Sequence, residues 1–342
     1  MDLVTLGRTG ITVSKNGFGA LPIQRISREE AAYIVQTALD GGMTFFDTAR
    51  SYTDSEEKLG YALSHRRDEF YLATKTPSVT SDGFWRDLET SLKLLKTDHV
   101  DLYQFHNPAF CPNPGDGSGL YEAMLEAKKQ GKIRFIGITN HRLHVAQEAI
   151  DSGLYDVLQY PFCYLATEKD QAIRENAEKA GMGFLAMKGL SGGLITNSKA
   201  AYAWLRQYPG VLPIWGIQHR WELEEFLSYR DDPPEMDEEV LSVIAKDRQE
   251  LTTGFCRSCG SCMPCPADIQ ILNCARMSQL IRRAPSEGYF SPEWRENMAK
   301  IDNCLNCGKC RSRCPFELDV PNLLRKNYED YKALCARRDS EK

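Results

Sequence analysis

The sequence predicts an α/β fold in two parts, a (β/α)8 barrel followed by a smaller, mainly helical domain. Three observations carry that expectation. Short apolar runs alternate with helix-length amphipathic stretches through the first two thirds of the chain, which is how a parallel sheet with both faces covered reads. Eight such units recur, enough to close a barrel. The chain has 342 residues, and eight of its 12 cysteines crowd into two runs beyond residue 250, so a cysteine-bearing appendage after a barrel of roughly 250 residues is the natural division.

Taken in order, strands are expected over 16–20, 44–46, 71–74, 100–105, 135–139, 157–159, 183–187 and 211–214. Helices are expected between them over 55–64, 85–95, 120–130, 144–152, 169–180 and 200–208. The strand at 44–46 is apolar until it stops at Asp47, so its carboxyl end delivers a charge to the face of a barrel where chemistry occurs. Residues 107–119, rich in Pro, Gly and Asn, are too long for an ordinary turn and should form a loop over the barrel mouth. Charge and a double proline over 231–239 mark the end of the barrel. The expected boundaries are 1–232 for the barrel, 233–253 for a linker with a helix at 240–251, and 254–342 for the second domain, with helices at 272–283 and 292–301.

Lysine plus arginine number 42 against 47 aspartates plus glutamates, a net charge of −5. That balance lacks the basic excess expected for a nucleic-acid or anionic-membrane partner. No apolar run reaches the ~18 residues of a membrane span, and residues 1–8 lack a signal-peptide core. A cytoplasmic protein acting on a small molecule is the expectation.

Phe45-Phe46-Asp47-Thr48-Ala49, followed by Tyr52, Ser55, Glu56 and Gly60, resembles the signature of the aldo-keto reductases. Four more stretches resemble that family in the right order: 6–10 with Val13-Ser14, 71–75 ending in Lys75, 101–106 ending in His106, and 131–140. The resemblance implies a catalytic set of Asp47, Tyr52, Lys75 and His106. In it Tyr52 hands a proton to the developing alkoxide, Lys75 draws the phenol pKa down from its usual ~10, Asp47 holds the lysine, and His106 aligns the substrate oxygen. Taken singly, each has a plain structural reading: a packed tyrosine, a solvated lysine, a satisfied core histidine, a helix cap.

The same resemblance implies Thr139, Asn140 and Gln159 as partners of a nicotinamide carboxamide, whose donors and acceptor their side chains match, and Met187, Lys188 and Gly189 along its pyrophosphate. At the last barrel segment Glu225 matches the family but Phe226 replaces an asparagine. Glu222 falls near where a phosphate-binding arginine is often found, so Arg220 would have to offset its charge toward a 2′-phosphate. NADP and NAD both stay open.

Two tight cysteine runs in a chain without secretory features favour metal ligation over disulfides. Cys256, Cys259, Cys262 and Cys265-Pro266, with Cys304, Cys307, Cys310 and Cys314-Pro315, resemble the paired runs of two-cluster ferredoxins. That resemblance implies two [4Fe-4S] clusters in a helical ferredoxin-like module, each held by three cysteines of one run and the last of the other. One set is Cys256, Cys259, Cys262 and Cys314; the other is Cys304, Cys307, Cys310 and Cys265. The first run is one residue short before Cys265, which leaves Cys274 as a substitute ligand. Zinc is the structural alternative.

The expected function is an oxidoreductase moving hydride between a nicotinamide cofactor and a carbonyl or alcohol, with a one-electron redox protein as a further partner. Two other classes compete: an electron-transfer protein whose barrel holds another cofactor such as flavin, and a non-catalytic barrel acting as a binding module.

Overall fold

The computed structural model describes residues 2–252, 256–283 and 287–340. Contacts divide the chain into two units, Met1–Gly189 with Ser198–Val240, and Leu190–Asn197 with Leu241–Lys342.

The first unit opens with an antiparallel hairpin, β1 (Leu3–Thr5) and β2 (Thr12–Ser14). Then follow β3 (Gly17–Gly19), α1 (Arg28–Asp40), β4 (Phe45–Asp47), α2 (Ser55–Leu63), β5 (Tyr71–Thr76), α3 (Ser81–Leu95), β6 (Val100–His106), α4 (Leu120–Lys129) and β7 (Ile133–Thr139). The chain continues with α5 (Leu143–Ser152), β8 (Val157–Pro161), α6 (Glu168–Lys179), β9 (Gly183–Met187), α7 (Ser198–Arg206), β10 (Val211–Gly216) and α8 (Arg220–Asp231). Strands β3 to β10 close a barrel in chain order, β10 returning to pair with β3.

The strand interiors are apolar and buried, as both-face coverage demands. Helix starts are set by side-chain caps: Ser27 accepts from the Glu30 amide, Thr80 from Gly83, and Thr167 and Asp170 cap each other's amides. At one end of the barrel Val4, Leu6, Ile11 and Val13 of the hairpin pack with Phe45, Ala73, Leu102, Val157, Leu185 and Leu212 from the early parts of six strands. An apolar plug therefore fills the amino end and leaves chemistry to the other rim. Pairing register brings the strand ends level there, with Asp47 opposite Ala73, Lys75 opposite Gln104, His106 opposite Thr139, Thr139 opposite Gln159, and Pro161 opposite Met187.

The second unit contains most of α9 (Glu238–Thr252), then α10 (Ile271–Cys274), α11 (Met277–Arg283), α12 (Pro292–Ala299), α13 (Lys309–Ser312) and the long α14 (Val320–Ser340). Cys256, Cys262, Ile269, Ile271, Met277, Met298, Val320, Leu324 and Tyr331 form its core. Asn327 ties α14 across the unit, its amide donating to Ala275 O and its carbonyl accepting from the Ser278 amide. Among the described residues no helix is long and apolar enough to cross a membrane.

Several elements differ from the sequence expectation. Helix α3 starts at Ser81 rather than 85 because Thr80 caps it. Helices α1, α8, α13 and α14 and the opening hairpin are additional. The helix expected at 272–283 is two short helices. Contacts divide the chain inside α9, at Val240, and join 190–197 to the second unit; the expected boundary at 253–254 lies outside the described residues.

Gly60 lies where α2 meets the end of α3, and a Cβ there would land on Leu94 O and come within 2.8 Å of Leu95 Cα. Backbone cannot yield as a side-chain end can. Gly60→Ala should therefore destabilise the chain by about 2–3 kcal/mol, read as a shift of the barrel's urea midpoint; an unchanged midpoint would remove close helix approach as the reason for this glycine.

Candidate active site and cysteine runs

Lys75 and Asp47 are nearly inaccessible to solvent, at 1% and 3% exposure. Lys75 Nζ donates to Asp47 Oδ1 at 2.8 Å, to Oδ2 at 2.7 Å, and to the Thr48 carbonyl at 2.6 Å. All three ammonium hydrogens thus have acceptors. The carboxylate also accepts from Gln159 Nε2 at 3.1 Å and Gln104 Nε2 at 3.4 Å, and Gln104 donates to Gln159 Oε1 at 2.9 Å. A buried charge survives only with this kind of pairing. Sequence reasoning missed Gln104; its signal is a polar residue inside an apolar strand, two positions before His106 and so on the same face.

Tyr52 leads off the loop after β4, and that loop is tied down on both sides. The Arg50 amide donates to Lys75 O at 3.0 Å, and the Arg50 guanidinium pairs with the buried Glu56, which also accepts from Thr74 Oγ1 at 2.6 Å. Ser55 joins Thr48 Oγ1 at 2.9 Å and Ala20 O at 2.8 Å. So held, the Tyr52 ring lies 5.3 Å from Lys75 Nζ and edge-to-face with His106, at 5.6 Å between centroids. Asp47, Tyr52, Lys75 and His106 are brought together.

Burial raises the Tyr52 phenol pKa, the Lys75 charge opposes the rise, and Asp47 adds to it. The expected fall below the ordinary value is thus corrected: Lys75 pulls in the expected direction, but loss of water outweighs it. Burial first, and then the Lys75 charge, push His106 down to about 3. It is a neutral imidazole, and among the described residues its buried Nδ1 has no hydrogen-bond partner. A buried ring nitrogen without a partner in such a place points to a ligand.

The residues expected at the cofactor fare unequally. Thr139 donates to Met187 Sδ at 3.7 Å, and Asn140 bridges Pro108 O and the Arg142 amide. An amide group has two donor hydrogens and two lone pairs, so these bonds, and those of Gln159, leave Asn140 and Gln159 capacity for a carboxamide. A Cβ at Gly189 would press on Trp215 at 2.6 Å. Lys188 has a left-handed backbone, φ 58°. Arg220 is committed to Glu30, at 2.8 and 2.6 Å, and stacks on Tyr33. Glu222 caps α8 by accepting from the Gln218 and His219 amides, and Glu225 accepts from Tyr229. Phe226 is explained by packing, its ring stacked on Trp215 at 4.5 Å.

In the second unit the thiols crowd one another. Burial raises the Cys256 pKa, with Cys259 and Cys314 adding to the rise; burial carries Cys262 up to about 12, helped by Cys256, Cys259 and Cys310; burial raises Cys310, helped by Cys304 and Cys265. The last cysteine of each run therefore neighbours the other run. Thiols gathered this closely, with the last cysteine of each run beside the other run, make a donor set that fits iron–sulfur clusters. No three His, Cys, Asp or Glu side chains among the described residues converge on a single ion; cluster thiolates bind separate irons. Cys274, the substitute, is fully buried and lies 3.9 Å from Asn297 O.

The family model of the Aldo/keto reductase family matches residues 15–203, and that of a 4Fe-4S dicluster domain matches residues 255–319. An uncharacterized oxidoreductase of Bacillus subtilis, YrpG, is 31% identical over 57% of this chain and 68% of its own length. L-galactose dehydrogenase of Arabidopsis thaliana is 29% identical over 58% and 68%. A solved aldo-keto reductase from Klebsiella pneumoniae in complex with NADPH shares the fold, with TM-score 0.61 and 22% identity over 72% of this chain and 94% of that one.

Because the folded His106 binds a proton less readily than an unfolded histidine of pKa ~6.5, its contribution to stability is complete above that value and falls as pH drops toward about 3. Nitrogen NMR of labelled histidine, assigned with His106→Gln, should show a neutral ring from pH 8 to 5. A midpoint near 6.5 would contradict the buried, Lys75-facing environment.

Proposed function

We propose a function from one premise: this chain belongs to the aldo/keto reductase family and carries a 4Fe-4S dicluster domain, which makes it an oxidoreductase. On our reading its barrel transfers hydride between NADPH or NADH and a carbonyl or alcohol of a small molecule. The observation that carries this is the buried Lys75–Asp47 pair at 2.7 Å beside the Tyr52 ring, with a neutral His106 against that ring.

Bound at the rim, a nicotinamide supplies the hydride for the carbonyl carbon. Tyr52 donates its phenolic proton to the carbonyl oxygen, and the Lys75 ammonium favours the phenolate left behind. Asp47 keeps Lys75 charged and directed. His106, uncharged, offers a ring N–H to the same oxygen and so orients it. Thr139, Asn140 and Gln159 hold the carboxamide, and Met187, Lys188 and Gly189 follow the pyrophosphate. NADPH is supported by the Klebsiella relative in fold. Arg220 and Glu225 complete the proposed cofactor set, although Arg220 must leave Glu30 to meet a 2′-phosphate.

The division 1–232, 233–253 and 254–342 is proposed as the functional one. Cys256, Cys259, Cys262 and Cys314 would hold one [4Fe-4S] cluster, and Cys304, Cys307, Cys310 and Cys265 the other; the mutual influence of Cys256 with Cys314 and of Cys310 with Cys265 supports the crossed sets. Hydride moves two electrons together and each cluster takes one, so an external one-electron protein is the proposed partner of the clusters. Thiols kept for iron suit the reducing cytoplasm.

Two measurements on one preparation test this reading. Anaerobically purified chain should contain about eight irons, from two four-iron clusters, and Tyr52→Phe should lose at least about 100-fold in carbonyl reduction while nicotinamide binding, followed by fluorescence, persists. Turnover within a few-fold of the parent rejects Tyr52 as the proton donor, and zinc in place of iron rejects the clusters.

A further inference from the structure

The two proposed cysteine sets differ in how much water they meet. Cys256, Cys259 and Cys262 are each at most 9% exposed, whereas Cys307 is exposed. Beside it Leu305 presents an apolar side chain to solvent at 66% exposure. A single open leucine is ordinary on a protein surface; this one lies between two cysteines of one run, so it adds apolar area beside the exposed thiol.

The surroundings are basic. Lys309, Arg311 and Arg313 are exposed around Cys310, and none is paired with a carboxylate among the described residues. Arg325 donates to Asn306 Oδ1 at 2.8 Å, which brings α14 and its exposed neighbour Lys326 to the same loop. Residues 300–326 hold six basic against three acidic side chains, in a chain whose net charge is −5. Positive charge is therefore concentrated where one thiol reaches water.

We propose that this face is the docking surface for an acidic one-electron carrier protein, an inference that rests on the reading of the runs as cluster ligands. Leu305 provides a small apolar centre, and Lys309, Arg311, Arg313 and Arg325 provide a charged rim. That is the make-up of weak, charge-steered electron-transfer encounters, which bury little area and gain rate from complementary charge. A carrier of negative charge is drawn to this patch, while the chain as a whole has a net charge of −5. Cys304, Cys307, Cys310 and Cys265 would hold a cluster that, once reduced by an external one-electron donor, would give one electron to the carrier: the cluster would be oxidised by one electron, the carrier reduced by one, and no bond or proton would move.

The probe is an acidic plant-type [2Fe-2S] ferredoxin, oxidised, mixed anaerobically with the dithionite-reduced full chain and followed by stopped-flow absorbance. Calorimetric titration of the oxidised pair gives affinity independently of turnover. Lys309→Glu with Arg311→Glu and Arg313→Glu should slow transfer and weaken binding tenfold or more at low ionic strength, with the gap closing near 0.5 M salt as screening shortens. A remote triple reversal on the barrel, Lys93→Glu with Lys129→Glu and Lys179→Glu, should stay within about twofold. Should the first variant lose iron, Lys326→Glu, on α14 rather than within a cysteine run, carries the same expectation in smaller degree. Parent-like transfer by an iron-replete patch variant, equal loss in the remote variant, or a parent dimer that the patch variant abolishes each overturns the proposal. A parent chain devoid of iron overturns the cluster reading itself and is recognised before any mixing.

Discussion

The site depends on one buried ion pair. Lys75 and Asp47 lie almost out of water, where an unpaired ammonium or carboxylate would cost several kcal/mol. Each makes the other tolerable, and the geometry that joins them is a property of the sheet. Strands β4 and β5 run parallel with Asp47 opposite Ala73, so Lys75, two residues on, points from the same face and reaches back to the carboxylate. Gln104 and Gln159 from β6 and β8 complete the carboxylate's hydrogen bonds. Four strands of the barrel are thereby committed to one point.

What surrounds the pair inherits its charge. His106 stays neutral because it is half-buried and faces an ammonium. Tyr52 feels two opposed effects, burial raising its pKa and Lys75 lowering it. A phenol that holds its proton until a phenolate becomes useful suits a donor, and the lysine supplies that use when negative charge forms. The second unit handles charge differently: its thiols are gathered in one core, where burial and neighbouring thiols raise their pKa. On the proposed reading, two-electron hydride chemistry and one-electron cluster chemistry would use separate sets of residues within one chain.

Much of this was legible in the residues. Asp47, Lys75 and His106 stand out because apolar strands end on them, and a parallel barrel gathers strand ends on one rim. The cysteine runs are readable from spacing alone. Other features needed coordinates because their signal is weak or non-local. Helix α14 is polar along most of its length, whereas α1 did carry a signature, Ser27 three residues before Glu30 and an apolar face of Ala31, Ile34, Val35 and Ala38. Gln104 is ordinary until the strand register turns it toward Asp47. Arg220 was read by position along the chain, but Glu30, 190 residues away, accepts its hydrogen bonds. The sign of the Tyr52 shift depended on how much water burial removes, a quantity that no spacing encodes.

The central claim, that Asp47 and Lys75 are tolerable in the barrel only as a pair, is tested most directly by a double-mutant cycle in urea unfolding. Asp47→Asn and Lys75→Met should each cost about 3–5 kcal/mol, because each leaves a buried charge alone. Together they should cost well under the sum. Strictly additive losses would show that the two side chains are held independently, and the account of the site built on their mutual dependence would be contradicted.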